Sequence, residues 1–267
     1  MLRILIYILI RLTRYRWPVI DQNLRNAFPQ MSNAELLRLR SAYYSYLSRV
    51  LAEIALLPYM SRNTIAQRCT FLNPELLTEA RLNGKRVIIM MGHSGNWEMA
   101  GLAAKIHTGI QMIPVYRPLS NQSVDAIMKR IRSRFGVLPV EDKHVYHFAV
   151  KQPPPWAIAL LADHNPPKRG AIWTQFLNQP TPFYKGGEIL AKRLDAEVIF
   201  AHVRRKKNGF GYEVVLRRCT DTPDTEMFKV TKAFKTFLEE EIKSDPPNWL
   251  WSHRRWKHQP GADARWF

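Results

Sequence analysis

His93 and Glu98 stand five positions apart, directly after the apolar run Val87-Ile88-Ile89-Met90-Met91. An imidazole with a carboxylate on one ring nitrogen is held in a single tautomer, and the imidazolium it becomes on taking a proton is stabilised. That pairing suits base-assisted nucleophilic attack. No Ser or Cys sits in a strained elbow, so the nucleophile would be a hydroxyl of the substrate. On one continuous helix the two side chains would lie roughly 140° apart, at about 100° per residue. The intervening Gly92-His93-Ser94-Gly95 reads instead as a turn, because glycine tolerates positive φ, with Asn96 as the N-cap of a helix beginning Trp97-Glu98-Met99-Ala100. With His93 in the turn and Glu98 in the first helical turn, the chain can fold the two together. A turn histidine that merely caps the helix is the alternative left open by spacing alone.

The elements that must position these residues are those of an α/β fold. Val87–Met91 reads as a strand buried on both faces, as in a parallel sheet. Ile110–Tyr116, Val137–Val140 and Ala157–Ala162 read as further strands. Ligands in open α/β sheets sit beyond the carboxyl ends of the strands, where His93, Tyr116-Arg117-Pro118 and Asp163 all arrive. Asp163 suits orienting a basic residue or the acceptor; capping the following loop is the other reading. A turn-rich loop, 176–187, precedes a helix over Glu188–Leu194 and places Lys185, Gly186 and Gly187 at a helix N-terminus, a natural anion site. Glycine there also serves close helix packing. Ser32-Asn33-Ala34-Glu35 fits a capping box for a helix that Pro58 stops, and Glu53 lies on that helix. Asn73-Pro74 starts a short helix that Gly84 ends. Ser123–Phe135 is a basic helix closed by Gly136. Ala196–Val203 and Phe210–Leu216 form a hairpin around Asn208-Gly209, and Thr225–Ile242 is amphipathic.

The chain has 267 residues, 46% of them hydrophobic, and carries a net charge of +18 from 40 Lys+Arg against 22 Asp+Glu. A field of that sign attracts polyanions: nucleic acid, anionic headgroups, phosphorylated substrates or acidic carrier proteins. Aromatic residues make up 11% and include eight Trp, which is high for a simple nucleic-acid binder. Cys69 and Cys219 form neither a metal-ligand spacing nor a disulfide framework, which points to a reducing compartment. No metal site is expected, and no GxxxxGK[ST] or GxGxxG occurs. Between Arg3 and Arg11 lie seven uninterrupted apolar residues, against the ~20 that a bilayer span needs. Tyr15-Arg16-Trp17-Pro18 follows instead of a small-residue cleavage site. Residues 1–22 therefore read as an interfacial anchor, with a core helix as the alternative, and residues 23–267 as a single α/β domain. The tail through Trp249, Trp251, Arg254, Arg255 and Trp256 interleaves rings and cations. That suits headgroup depth, or a core-facing tryptophan pair with exposed arginines.

Gly92-His93-Ser94-Gly95-Asn96-Trp97-Glu98 resembles the HX4(D/E) motif of the glycerolipid acyltransferase superfamily, in the wording of the lipid A biosynthesis (lauroyl/myristoyl) acyltransferases. Blocks in the same order strengthen the resemblance: Asn23-Leu24-Arg25-Asn26-Ala27-Phe28-Pro29, Tyr116-Arg117-Pro118, Ala162-Asp163, Gly186 with the downstream Leu190-Ala191, and Trp251-Ser252-His253-Arg254-Arg255-Trp256-Lys257. His164 stands where that family usually has glutamine, and the hydrophobic lead-in is short. The resemblance implies a glycerolipid-acyltransferase-like fold, with a central mostly parallel or mixed sheet flanked by helices. It also implies acyl transfer from an acyl carrier protein or coenzyme A thioester to a hydroxyl of a lipid A precursor, with no cofactor. His93 and Glu98 would be the catalytic dyad, and Arg117 would bind a phosphate or polarise the acyl carbonyl. Ser94, Gly95, Asn96, Tyr116, Pro118, Asp163, Phe183, Lys185, Gly186 and Gly187 would contact substrate, and Trp249, Trp251, Arg254, Arg255 and Trp256 the membrane or phosphate. The expected place is the cytoplasmic face of a bacterial inner membrane, with acyl carrier protein and an anionic lipid as partners and no nucleic acid. The same chemistry on a lysophospholipid, aminolipid or glycolipid is the nearest alternative. A non-catalytic basic protein binding membrane or nucleic acid is the other; in it, His93 and Glu98 would be replaceable without loss.

Overall fold

A computed structural model describes residues 1–163, 166, 171–207, 209–223, 227–262 and 264–267. The expectations for His164, for Asn208 in the hairpin turn and for a helix start at Thr225 lie outside the described residues. The chain opens with α1 (Leu2–Leu12) and α2 (Trp17–Ala27), both packed on α3 (Asn33–Leu56). α3 begins at the expected capping box: Ser32 Oγ accepts from Glu35 N, and the Glu35 carboxylate accepts from Ser32 N. Its last turn gives way to a 3-10 turn containing Pro58. Then come α4 (Arg62–Arg68), β1 (Cys69–Phe71), α5 (Glu75–Leu82), β2 (Arg86–Met91), α6 (Trp97–Thr108), β3 (Gln111–Tyr116) and α7 (Gln122–Arg132). β4 (Val140–Glu141), α8 (Val145–Lys151), β5 (Trp156–Leu161), β6 (Ile172–Phe176), β7 (Gln179–Phe183) and α9 (Gly186–Leu194) follow. β8 (Glu197–Arg205), β9 (Tyr212–Arg218), α10 (Lys229–Ser244) and β10 (Arg265–Trp266) complete the order.

A seven-stranded sheet runs β1-β9-β8-β2-β5-β3-β4. β2 lies at its centre, parallel to β8 and β5, and the β8–β9 hairpin makes the sheet mixed. The unbroken apolar run of β2 has a direct structural reason. Ile88 and Met90 enter a core shared with α2, α3, α9 and α10, while Val87, Ile89 and Met91 enter one shared with α5 and α6 on the other face. A strand covered on both sides needs apolar residues at every position rather than every second one. Its carboxyl end delivers His93, and the carboxyl end of the adjacent β5 delivers Asp163.

Two expectations need correction. The stretch 176–187 is not only a turn-rich loop: β7 occupies part of it, pairing antiparallel with β6 in a second sheet ordered β10-β6-β7. Pro180 and Pro182 disguise it, yet they alternate along an edge strand, where missing N–H groups cost no ladder bond. Val137–Val140 is a strand only from Val140, because Leu138 N bonds to Met112 O and Pro139 then has no N–H to continue. At the N-terminus, Ile10 of α1 is buried, whereas Ile4, Leu5, Ile8, Leu9 and Leu12 are exposed. Among the described residues no helix is long and apolar enough to cross a membrane.

His202 shares the face of β8 that carries Phe200, which stacks on Phe237 of α10. Neither imidazole nitrogen has a hydrogen-bond partner, and Glu241 Oε2 lies 3.6 Å from Nε2. Burial, aided by Arg204, pushes its pKa from 6.5 down to about 4. A histidine lowered in the folded state is protonated first in the unfolded chain, so acidification from about pH 6.5 towards pH 4 costs stability. The Glu241 carboxyl, raised by burial, opposes this in the lower part of that range. His202→Phe is expected to flatten the pH dependence of the urea midpoint between pH 6.5 and 5; parallel slopes in the two proteins would assign the dependence to another group.

Candidate active site

His93 follows β2 in a turn that glycine makes possible. A Cβ at Gly92 would lie 2.6 Å from Leu238 Cδ1 and 3.3 Å from Asp163 Oδ2, so a side chain there would have to push both aside. Gly95 has φ +57°. The chain then enters α6 with Asn96 as its N-cap, its Oδ1 accepting from Met99 N at 3.0 Å. These local features follow the sequence. The imidazole's partner does not: His93 Nδ1 lies 2.6 Å from Asp163 Oδ1, while His93 N donates to Asp163 Oδ2 at 2.9 Å. Trp249 Nε1 donates to the same Oδ2 at 2.8 Å. Asp163 is 1% exposed and His93 7%. A buried carboxylate needs such donors, and an Nδ1–H held this way leaves Nε2 as the basic nitrogen.

The expected His93–Glu98 contact is therefore corrected: Asp163 takes that place. The Glu98 carboxylate accepts from Arg132 Nε at 2.9 Å and from Nη2 at 2.5 Å, a two-pronged pair. Burial works against the Arg132 charge, but Glu98 outweighs it and the guanidinium's pKa is raised. Glu98 points this way because the first turn of α6 faces α7, whose last turn carries Arg132.

His93, Glu98 and Arg132 all line one cavity of about 360 Å3. Its walls are largely apolar, formed by Leu102, Pro114, Val115, Leu119, Val137 and Leu161, with Gly101 facing open space. Trp97 sets its edge against the His93 ring at a centroid distance of 5.0 Å. Tyr116, Arg117, Tyr184 and Gly187 also line it. Arg117 is an exposed rim residue bonded through Nε to Asp142 Oδ2 at 2.6 Å, and Pro118 beside it is exposed. Tyr116 lies under the Lys129 and Arg132 cations. Lys185 is the N-cap of α9 and sits over the Phe228 ring, Gly186 packs against Tyr184, and Phe183 is buried behind them.

Ser94, Gly95 and Asn96 build the turn. Ser94 bridges to Trp249, Gly95 N donates to Asn248 O, and Tyr46 Oη donates to Gly95 O. In the tail, Trp249, Trp251 and Arg255 are buried, which corrects their expected membrane contact. Arg255 donates to Pro182 O and lies over Phe183, and burial lowers its pKa to about 10. Trp256 Nε1 donates to Thr181 Oγ1, and Arg254 is exposed. His253, close enough to feel Asp163 and His93, is pushed down to about 4 chiefly by burial. Arg132 and the structural part of Trp249 escaped sequence reasoning, since their partners lie 34 and 86 positions away along the chain. Among the described residues no three or more His, Cys, Asp or Glu side chains converge as a metal site.

Gly95→Ala tests the turn. Its Cβ would fall 2.5 Å from Val203 Cγ1 and 2.6 Å from Val203 O. The left-handed backbone alone costs about 1–2 kcal/mol for alanine, and the overlap adds to it. The variant is expected to lose at least ~2 kcal/mol of unfolding free energy in urea; a loss near zero would mean that the turn is not held there.

The sequence matches the family model for bacterial lipid A biosynthesis acyltransferase over residues 8–258. It is 22% identical to the lipid A biosynthesis lauroyltransferase of Escherichia coli K12, over 96% of this chain and 84% of that one. It is 20% identical to the palmitoleoyltransferase of the same organism, over 93% and 81% respectively. A lipid A biosynthesis acyltransferase of Haemophilus influenzae is 25% identical over 92% of this chain and 78% of its own length. With a match of that extent laid over a buried imidazole–carboxylate pair at the head of an apolar cavity, the chain belongs to the bacterial lipid A biosynthesis acyltransferase family.

Proposed function

We propose that this protein moves a fatty acyl group from an acyl-carrier-protein or coenzyme A thioester to a hydroxyl of a lipid A precursor. The observation that carries the reading is the His93–Asp163 pair set in the wall of an apolar cavity of about 360 Å3, within the ~300–1,000 Å3 usual for small-ligand pockets. Asp163 holds the Nδ1–H, and Nε2 takes the proton of the acceptor hydroxyl as its oxygen attacks the thioester carbonyl carbon. The tetrahedral intermediate collapses with loss of the thiolate, which recovers the proton from His93. Arg117 at the rim and backbone N–H groups of the turn are the candidates for stabilising the oxyanion or a substrate phosphate. Glu98, fixed by Arg132, is the second carboxylate of the site and supports the imidazolium through the cavity rather than by direct contact. A thioester is already activated and its thiolate leaves readily, so the step needs no metal.

Tyr116, Pro118, Tyr184, Lys185, Gly186 and Gly187 border the path by which the acyl chain or acceptor enters. The exposed apolar face of α1, flanked by Arg3, Arg11, Arg14 and Arg16, suits a helix lying in the headgroup region. That supports a peripheral or monotopic position on the cytoplasmic face of the inner membrane. The net charge of +18 favours both an acidic carrier protein and an anionic bilayer.

With purified enzyme, labelled acyl carrier protein and the lipid acceptor, His93→Ala and Asp163→Asn should each lower kcat by about 10²–10⁴. Glu98→Gln should lower it less, and because each change disturbs a buried, bonded carboxylate, each should also lower the urea midpoint, so kcat is compared without urea, where all three remain folded. Full turnover in Asp163→Asn would remove the carboxylate–imidazole pair from the mechanism. Mass spectrometry of a deletion strain should find lipid A lighter by one acyl group; an unchanged lipid A with another lipid altered would reassign the acceptor. Leu5→Glu with Ile8→Glu should cut binding to vesicles of phosphatidylethanolamine and phosphatidylglycerol, and undiminished binding would place the membrane contact elsewhere.

A further inference from the structure

A second cavity, of about 300 Å3, shares no lining residue with the first. Arg3 of α1, Arg49 of α3 and Arg68 at the end of α4 line it, together with the lone carboxylate of Glu53. That carboxylate is already bonded by Tyr212 Oη at 2.6 Å and by Asn96 Nδ2 at 3.4 Å. A fourth cation joins the group, because Arg49 Nη1 and Arg205 Nη2 converge on one carbonyl, Gly209 O, at 2.8 Å and 3.2 Å. Among the described residues none of these four arginines forms an ion pair. The Nε atoms of Arg49 and Arg205 are buried and have no hydrogen-bond partner. Burial first, and then the Arg205 and Arg3 charges, pull the pKa of Arg49 down.

Four guanidinium groups around one carboxylate, which Tyr212 and Asn96 already bond, leave an excess of positive charge with N–H donors left over. A tetrahedral dianion relieves both conditions, since planar guanidinium forks match phosphate oxygens. The remaining walls are apolar: Leu2, Ala52, Leu56 and Met99, with Phe210 lying under Arg68 at 5.1 Å. The exposed apolar face of α1 continues from the cavity mouth at Leu2. We propose that this cavity binds a phosphate group through Arg3, Arg49, Arg68 and Arg205, and that the phosphate belongs to an amphiphile whose apolar part lies along α1. The site is separate from the acyl-transfer site and stands whether or not that reading holds.

Calorimetric titration of the full chain with inorganic phosphate and with dihexanoylphosphatidic acid tests this. Both probes should saturate, with the lipid tighter by about tenfold or more; each of Arg49→Gln and Arg68→Gln should weaken both by at least about tenfold. The double variant Arg38→Gln/Arg130→Gln, which removes two exposed charges elsewhere, should bind as the parent does. Equal affinity for the two probes would overturn the amphiphile and leave a site for free phosphate. Absence of saturation, or equal weakening by the Arg38→Gln/Arg130→Gln variant, would overturn the site itself. Hydrogen exchange on the unmutated protein covers the case in which the cavity variants misfold. Phosphate should protect residues 49–56 and 209–212, and protection absent from both segments would overturn the proposal.

Discussion

The carboxylate of Asp163 is taken almost wholly out of water, and the site is organised around the requirement that it be satisfied there. A buried carboxylate without donors would cost several kcal/mol, so every group that reaches it is fixed in place. Among the described residues, such groups come from two distant parts of the chain: the imidazole and main-chain N–H of His93 beyond β2, and the indole of Trp249 after α10. The bonds work in both directions. They hold the imidazole in one orientation, and they tie the C-terminal segment to the head of the central strand. Gly92 belongs to the same constraint, because a side chain beside the histidine would push against Asp163 and Leu238.

The C-terminal segment then looks less like a surface device and more like the inner wall of the site. Trp249 and Trp251 meet edge to face at 4.8 Å, and Trp251 Nε1 donates to Pro246 O. Asn23 Nδ2 donates to Trp251 O and to His253 O, so α2 is fastened to the same segment. Arg255 reaches Pro182 O from full burial and connects the second sheet to it. A guanidinium so buried is costly unless bonded, and its pKa, lowered to about 10, records that cost. In exchange the segment is bonded along its length, and a well-bonded wall behind an imidazole is what a proton-transfer site requires.

What was legible in the sequence was whatever is decided within a few residues. The two-sided strand before His93, the Asn96 cap, the Ser32–Glu35 capping box and the β8–β9 hairpin rest on local periodicity and side-chain-to-backbone bonds. The site was half legible. His93 and Asp163 could both be placed at strand carboxyl ends, but which carboxylate faces the imidazole depends on β2 and β5 being neighbours, a fact no spacing records. The five-residue interval to Glu98 is suggestive because turn and helix are contiguous, yet Arg132 competes for that carboxylate from 34 positions away. The aromatic and cationic tail was ambiguous for a different reason. Rings and guanidinium groups serve a headgroup layer and a buried, hydrogen-bonded wall equally well, and tertiary packing alone decides between them.

Burial also bears on how such a site would choose between a lipid hydroxyl and water. A base that activates hydroxyls will activate water too, so a transferase must make water scarce where the acyl carbon sits. Here His93 is 7% exposed, walled by Trp97 on one side, and the cavity beyond it is lined mainly by aliphatic side chains. The polar groups that line it are few: the imidazole, the Glu98–Arg132 pair, Arg117 with Asp142, and the Tyr116 and Tyr184 hydroxyls. In the proposed acyl transfer, an acyl chain filling the apolar part would displace water from the same space. Selectivity for transfer over hydrolysis would then come from the substrate completing the cavity, while the His93–Asp163–Trp249 bonds keep the imidazole aligned.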